Sequence, residues 1–154
     1  MKDLKIKLLI EQLDRKFEKL SNIEDLIIPT EGWVYSVRTA LKMTLKQLGA
    51  KMGITAQSVK EIETREKMGA ITLNTLKEVG NALDMRLIYG FIPRDKSLEI
   101  MIEKKARELA EQIVLRTSAT MNLEDQKNTM ERLRTAIQDR TEEIKREMPK
   151  YLWD

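Results

Sequence analysis

A glycine set between two short amphipathic runs constrains this chain more than any other feature. In Thr44-Leu-Lys-Gln-Leu-Gly-Ala-Lys-Met-Gly-Ile-Thr-Ala-Gln-Ser-Val-Lys-Glu-Ile-Glu63, Leu45, Leu48 and Met52 recur at i, i+3 and i+7. That spacing gives one apolar stripe on a helix of about two turns. Thr44 and Gln47 stand three apart, as the two members of a capping box do. Gly53 can adopt the left-handed conformation that ends a helix, and Ile54 can bury in the corner beneath it. Thr55 then offers an N-cap for a second helix, on which Val59 and Ile62 point inward. Gln57, Ser58, Lys60, Glu61 and Thr64 are left to face outward. A polar outer face on a short second helix suits base reading in the major groove, so the pattern predicts a helix-turn-helix. The competing reading is an ordinary helical hairpin, since short amphipathic helices separated by glycine are common.

The flanking sequence favours the first reading. Trp33, Val37 and Leu41 predict a preceding helix with i, i+4, i+8 spacing. Leu73, Leu76, Val79 and Leu83 predict a following one. Charge points the same way. From Trp33 to Arg65 there are six basic residues (Arg38, Lys42, Lys46, Lys51, Lys60, Arg65) against two acidic ones (Glu61, Glu63), a net +4. The whole chain carries only +3, so positive charge is concentrated where phosphates would have to be met.

Residues 33–83 resemble the XRE family of helix-turn-helix domains, the phage repressor and Cro type. A finer likeness runs over nearly the whole chain. Gly32-Trp33, Ala82-Leu-Asp-Met-Arg-Leu-Ile-Tyr-Gly-Phe-Ile-Pro93, Arg116-Thr-Ser-Ala-Thr-Met-Asn-Leu-Glu-Asp-Gln126 and Pro149-Lys-Tyr-Leu-Trp-Asp154 together resemble the proteins called mobile mystery protein A. That resemblance implies a DNA-binding regulator carried on mobile elements beside a second protein with a Fic domain. It implies a repressor acting on its own operon, with the Fic-domain protein as a partner, in a setting akin to toxin–antitoxin pairs. The chain departs from the usual phage-repressor pattern: Ala56 stands where that pattern often has a glutamine reader, and Glu61 where a basic residue is common, which leaves the operator sequence open.

Composition removes other classes. The 154 residues include no cysteine and no histidine. There is thus no disulfide framework, no thiolate or imidazole metal ligand, and none of the commonest general base. A Fic enzyme, whose motif depends on a histidine, is excluded as well. No nucleophile–base constellation or phosphate loop stands out among the carboxylates, so neither an enzyme nor a cofactor is expected. No run of eighteen or more apolar residues is present, and Lys5, Lys7 and Glu11 interrupt the N-terminus where a signal peptide would be apolar. The expectation is a cytoplasmic protein that does not enter a membrane.

The expected architecture is mainly α. It is a phage-repressor-like helix-turn-helix bundle with an N-terminal helix, one short β-strand and a C-terminal helical pair. Residues 1–31 supply the first helix, with Leu4, Leu8, Leu13, Phe17 and Leu20 on its apolar side, and an acidic connector in which Pro29 opposes further helix. Residues 32–83 form the DNA-binding domain. Within 84–94, Arg86-Leu-Ile-Tyr-Gly-Phe-Ile-Pro93 is β-branched and aromatic and reads as a strand. It would need a partner elsewhere in the chain or in a second subunit. Residues 95–154 form a region for dimerisation or partner binding. Ile102, Ala106, Leu109 and Ile113 make one stripe; Leu123, Met130, Leu133, Ile137, Ile144 and Met148 make another, broken at Arg140 and Thr141. Asn122 reads as an N-cap with Glu124 and Asp125 in the first turn. Thr120 to Asp125 also matches the spacing of the helix motif that restrains Fic enzymes, but an acidic first turn is the preferred reading.

Roles at the DNA follow from position. Gln47 and Thr55 would meet phosphates at the two helix starts. Gln57, Ser58 and Glu61 would face base edges, glutamine suiting adenine and glutamate the cytosine amino group. Lys60 and Arg65 would meet backbone phosphate, with Thr64 also outward. The expected partners are double-stranded DNA and a second copy of the chain. The alternative is an antitoxin or adaptor that captures a protein through residues 95–154.

Overall fold

The computed structural model describes residues 2–118 and 126–154. Along them run α1 (Lys2–Ser21), α2 (Trp33–Ala40), α3 (Leu45–Met52), α4 (Ala56–Met68), α5 (Leu73–Ala82), α6 (Leu98–Ser118), α7 (Gln126–Glu147) and a closing 3-10 turn (Lys150–Trp153). The helices divide into two compact units, residues 25–90 and residues 1–24 with 91–154. None of the described helices is long and apolar enough to cross a membrane. The Asn122 cap, Leu123 and the Thr120–Asp125 motif lie outside the described residues.

In the 25–90 unit, α2 to α5 close around Val34, Leu48, Val59, Ile62 and Val79. Met43, Met52, Ile54, Leu76 and Leu83 pack against that core. The stripes expected on α3 and α4 are therefore formed. The face of α2 is not the expected one. Trp33 and Leu41 are about half exposed, whereas Val34 and Arg38 are buried. The helix is rotated because Arg38 has a buried partner to reach. On α5, Leu76 and Val79 face inward, but Leu73, in the first turn, stays largely exposed.

In the other unit, α1 and α7 pack on α6. Its core is Ile102, Ala106, Ala110, Ile144 and Leu152. Alanines on α6 let a neighbouring helix approach closely, and Ile144 of α7 fills the space at 1% exposure. Thr141 does not break the α7 stripe: it is fully buried, and its Oγ1 donates to the Ile137 carbonyl at 2.6 Å. A buried hydroxyl satisfied within its own helix behaves as a core residue. The 3-10 turn after Pro149 delivers Leu152 into the same core. The start of α6 is held from far away, since Asp14 of α1 accepts the amides of Leu98 (2.7 Å) and Glu99 (3.3 Å).

The strand expected within 84–94 is not formed among the described residues, where residues 85–93 are neither helix nor strand. A β-strand exists only by pairing, and no described segment of this chain pairs with it. Ile88, Tyr89 and Phe91 are exposed, at 65%, 63% and 83%, while Leu87 and Ile92 are half-buried.

Candidate nucleic-acid interface

The two helix starts of the predicted motif are built as the sequence suggests. The Thr44 hydroxyl accepts the Gln47 amide at 3.1 Å, and Gln47 Oε1 accepts the Thr44 amide at 2.8 Å, a complete capping box. Gln47 is exposed and spends only its carbonyl oxygen here, which leaves its amino group for a phosphate. Gly53 closes α3 at φ +70°, a left-handed conformation open to glycine at no steric cost. Thr55 then caps α4, accepting the Ser58 amide at 3.1 Å and donating to the Ser58 hydroxyl at 3.0 Å. The Thr55 side chain is thereby committed within the chain. The amides of Ala56 and Gln57 have no partner among the described residues, so at this helix start they are the groups available to an anion.

Helical geometry sorts the outward residues of α4. Val59, Ile62, Glu63 and Glu66 follow the i, i+3, i+4, i+7 rule and form its inner face. Opposite them, Gln57, Glu61 and Thr64 make one exposed stripe of roughly 10 Å, about three base-pair steps. Lys60 flanks the stripe on one side. Ser58 and Arg65 flank it on the other, lining a shallow groove with Lys51, Glu61, Thr75 and Asn81. Ser58 is half-buried, and its hydroxyl is engaged by Thr55. Thr64 donates its hydroxyl to the Lys60 carbonyl at 3.0 Å. Gln57 and Glu61 therefore keep the freest side chains for base edges.

Sequence reasoning missed what holds α4 in place. Arg38, counted there as a phosphate-facing charge, is 9% exposed and paired with Glu63 at 4%. Its Nε donates to Glu63 Oε1 and its second terminal amino group to Oε2 at 3.3 Å. Its first terminal amino group donates to the Met43 carbonyl at 2.8 Å. The guanidinium also lies 5.6 Å from the centre of the Tyr35 ring. One side chain thus joins α2, the α2–α3 turn and α4. Removing the neutralised pair leaves Lys42, Lys46, Lys51, Lys60 and Arg65 against Glu61, so the module keeps its +4. The signal was present: Glu63 falls on the apolar face of α4, one turn from Val59, and Arg38 falls one turn from Val34.

A second clamp comes from Glu66, whose carboxylate accepts the amides of Trp33 and Val34, each at 2.8 Å. It caps α2, whose N-cap position is Gly32 with no side chain to do so. Gly32 sits at φ +91°, and a Cβ there would come within 2.9 Å of the Glu66 carboxylate. Gly49 serves the turn itself. A Cβ on it would meet the Ile54 carbonyl at 2.6 Å, where the chain doubles back after Gly53. Lys42 and Lys46, which enter the sequence reading only through the charge count, are exposed beside the start of α3.

No curated protein and no solved structure matches the chain. Residues 34–89 match a helix-turn-helix family model of the XRE type, and this match supports a DNA-binding regulator of that type.

Proposed function

We propose that the chain is a sequence-specific transcriptional repressor that binds DNA as a homodimer, each α4 entering one of two successive major grooves about one turn apart. One observation carries this reading. The face of α4 opposite the core presents Gln57 and Glu61 unencumbered, above a helix start with free amides, while Arg38–Glu63 and Glu66 fix the helix to its neighbours. A recognition helix needs both an available polar face and a rigid seat. The likeness to mobile mystery protein A supports regulation of the protein's own operon and a Fic-domain protein as partner.

The test is a salt-titrated binding assay of the full chain against its own upstream DNA and a scrambled control. Tight binding that favours the upstream DNA and weakens steeply with salt is the expected result, because each phosphate contact releases counterions. Absence of selectivity at every salt concentration would reject it. The alternative, an antitoxin or adaptor that captures a partner through residues 95–154, is favoured by apolar side chains exposed on those helices: Ile100 and Leu115 on α6 and Met130 on α7. An apolar interface of that kind would hold a partner with little response to salt.

A further inference from the structure

We infer that Lys42, in the turn between α2 and α3, grips a DNA phosphate, and that its strained backbone holds the charge in a fixed place relative to α4. This role rests on the DNA-binding reading above and adds a contact to it. All four helices from α2 to α5 end in the same way. The residue just past the end turns left-handed, its amide donates to the carbonyl three residues back, and the next amide donates to the carbonyl five back. The residues concerned are Lys42 and Met43, Gly53 and Ile54, Gly69 and Ala70, and Asp84 and Met85. At the left-handed residue φ is 53°, 70°, 73° and 55°. Glycine fills this position without steric cost, and aspartate is among the few residues that tolerate it. Lysine is neither.

Nothing among the described residues uses the Lys42 side chain. It is exposed and makes no hydrogen bond or ion pair there. No acidic residue occurs from Gly32 to Lys60. A costly conformation kept for a side chain with no task in the fold points to a use outside it. The turn is also tied down. Arg38 donates to the Met43 carbonyl at 2.8 Å, and the same guanidinium is paired with Glu63 of α4. Lys42 is therefore next to a residue fixed to α4, and it lies two positions before Thr44, which opens α3 beside Lys46 and Gln47. A compact ammonium so placed suits a phosphate as a point charge. Lys96 is the other left-handed lysine among the described residues, at φ 73°. It belongs to the other unit and lines a groove with Glu11, Asp14, Glu18, Glu24 and Glu99, so counter-charge is available to it within the chain.

The test pairs thermal unfolding with salt-titrated binding of the full chain to its own upstream DNA and to a scrambled duplex. The proteins compared are wild type, Lys42→Gly, Lys42→Met and Lys96→Gly. Lys42→Gly should raise the melting midpoint, because glycine relieves the left-handed strain. It should also weaken both duplexes alike, about 5-fold at about 0.15 M salt, and lower the salt slope by about 1, the loss of one phosphate contact. Lys42→Met removes the charge and keeps the strain, so binding should fall as much with no gain in stability. Lys96→Gly should gain stability and leave binding unchanged. Unchanged affinity and slope in Lys42→Gly, with wild type binding DNA, would overturn the role of Lys42 and leave the DNA-binding reading standing. A Lys42→Gly chain less stable than wild type would overturn it too, since the side chain would then serve the fold. So would an equal loss of slope in Lys96→Gly. Wild-type protein that binds neither duplex would overturn both readings together.

Discussion

Arg38 and Glu63 show what a single residue can decide in this domain. Both sit on faces that are otherwise apolar, and each would be a buried, unpaired charge without the other. Removing one member of such a pair costs about 3–5 kcal/mol, a large part of the 5–15 kcal/mol that holds a typical domain folded. Glu63→Ala should therefore lower the urea midpoint sharply, while Arg38→Met with Glu63→Leu recovers most of the loss. A Glu63→Ala protein as stable as wild type would mean that the pair does not hold α4 in place. This interaction was half legible in the sequence. The positions of the two charges on apolar stripes can be read from spacing, but their pairing across 25 residues cannot, because periodicity describes one helix at a time. Gln57, in contrast, was legible in full: its exposure follows from its place opposite Val59 and Ile62.

Helix ends divide by the range of the contacts that close them. Thr44, Thr55 and Thr72 cap their helices through residues three positions on, so the first two could be read directly from the chain. Glu66 capping α2 and Asp14 capping α6 act across 32 and 84 residues, and no local pattern announces them. Glu66→Ala should cost about 0.5–2 kcal/mol, the usual range for a lost cap. Gly32→Ala should cost more than about 1 kcal/mol, because it strains a positive φ and displaces the same carboxylate. Thermal unfolding of both variants checks this, and a neutral Gly32→Ala would show that the glycine is not required. The strand missing from 84–94 fails for the same reason of range: its β-propensity is plain in the sequence, but a ladder needs a partner that no described segment of the chain supplies.

At the scale of the whole molecule, charge and partition were legible to different degrees. The excess of positive charge on the helix-turn-helix module survives burial of Arg38, since Glu63 is neutralised with it. The joining of α1 to the C-terminal helices was not legible, because amphipathic stripes do not name the helix they pack against. If the lysines beside α3 meet phosphate, Lys46→Ala should weaken operator and random DNA alike and lower the salt slope by about 1. An unchanged slope would place Lys46 away from the DNA.

The most direct measurement is the ratio of affinities for the protein's own upstream DNA and a scrambled duplex, at one fixed salt concentration, for wild type and Gln57→Ala. If α4 reads base edges, the substitution should cost about 1–3 kcal/mol of discrimination while binding to scrambled DNA stays nearly unchanged. Equal weakening on both duplexes, with the ratio intact, would contradict the assignment of α4 as the recognition helix.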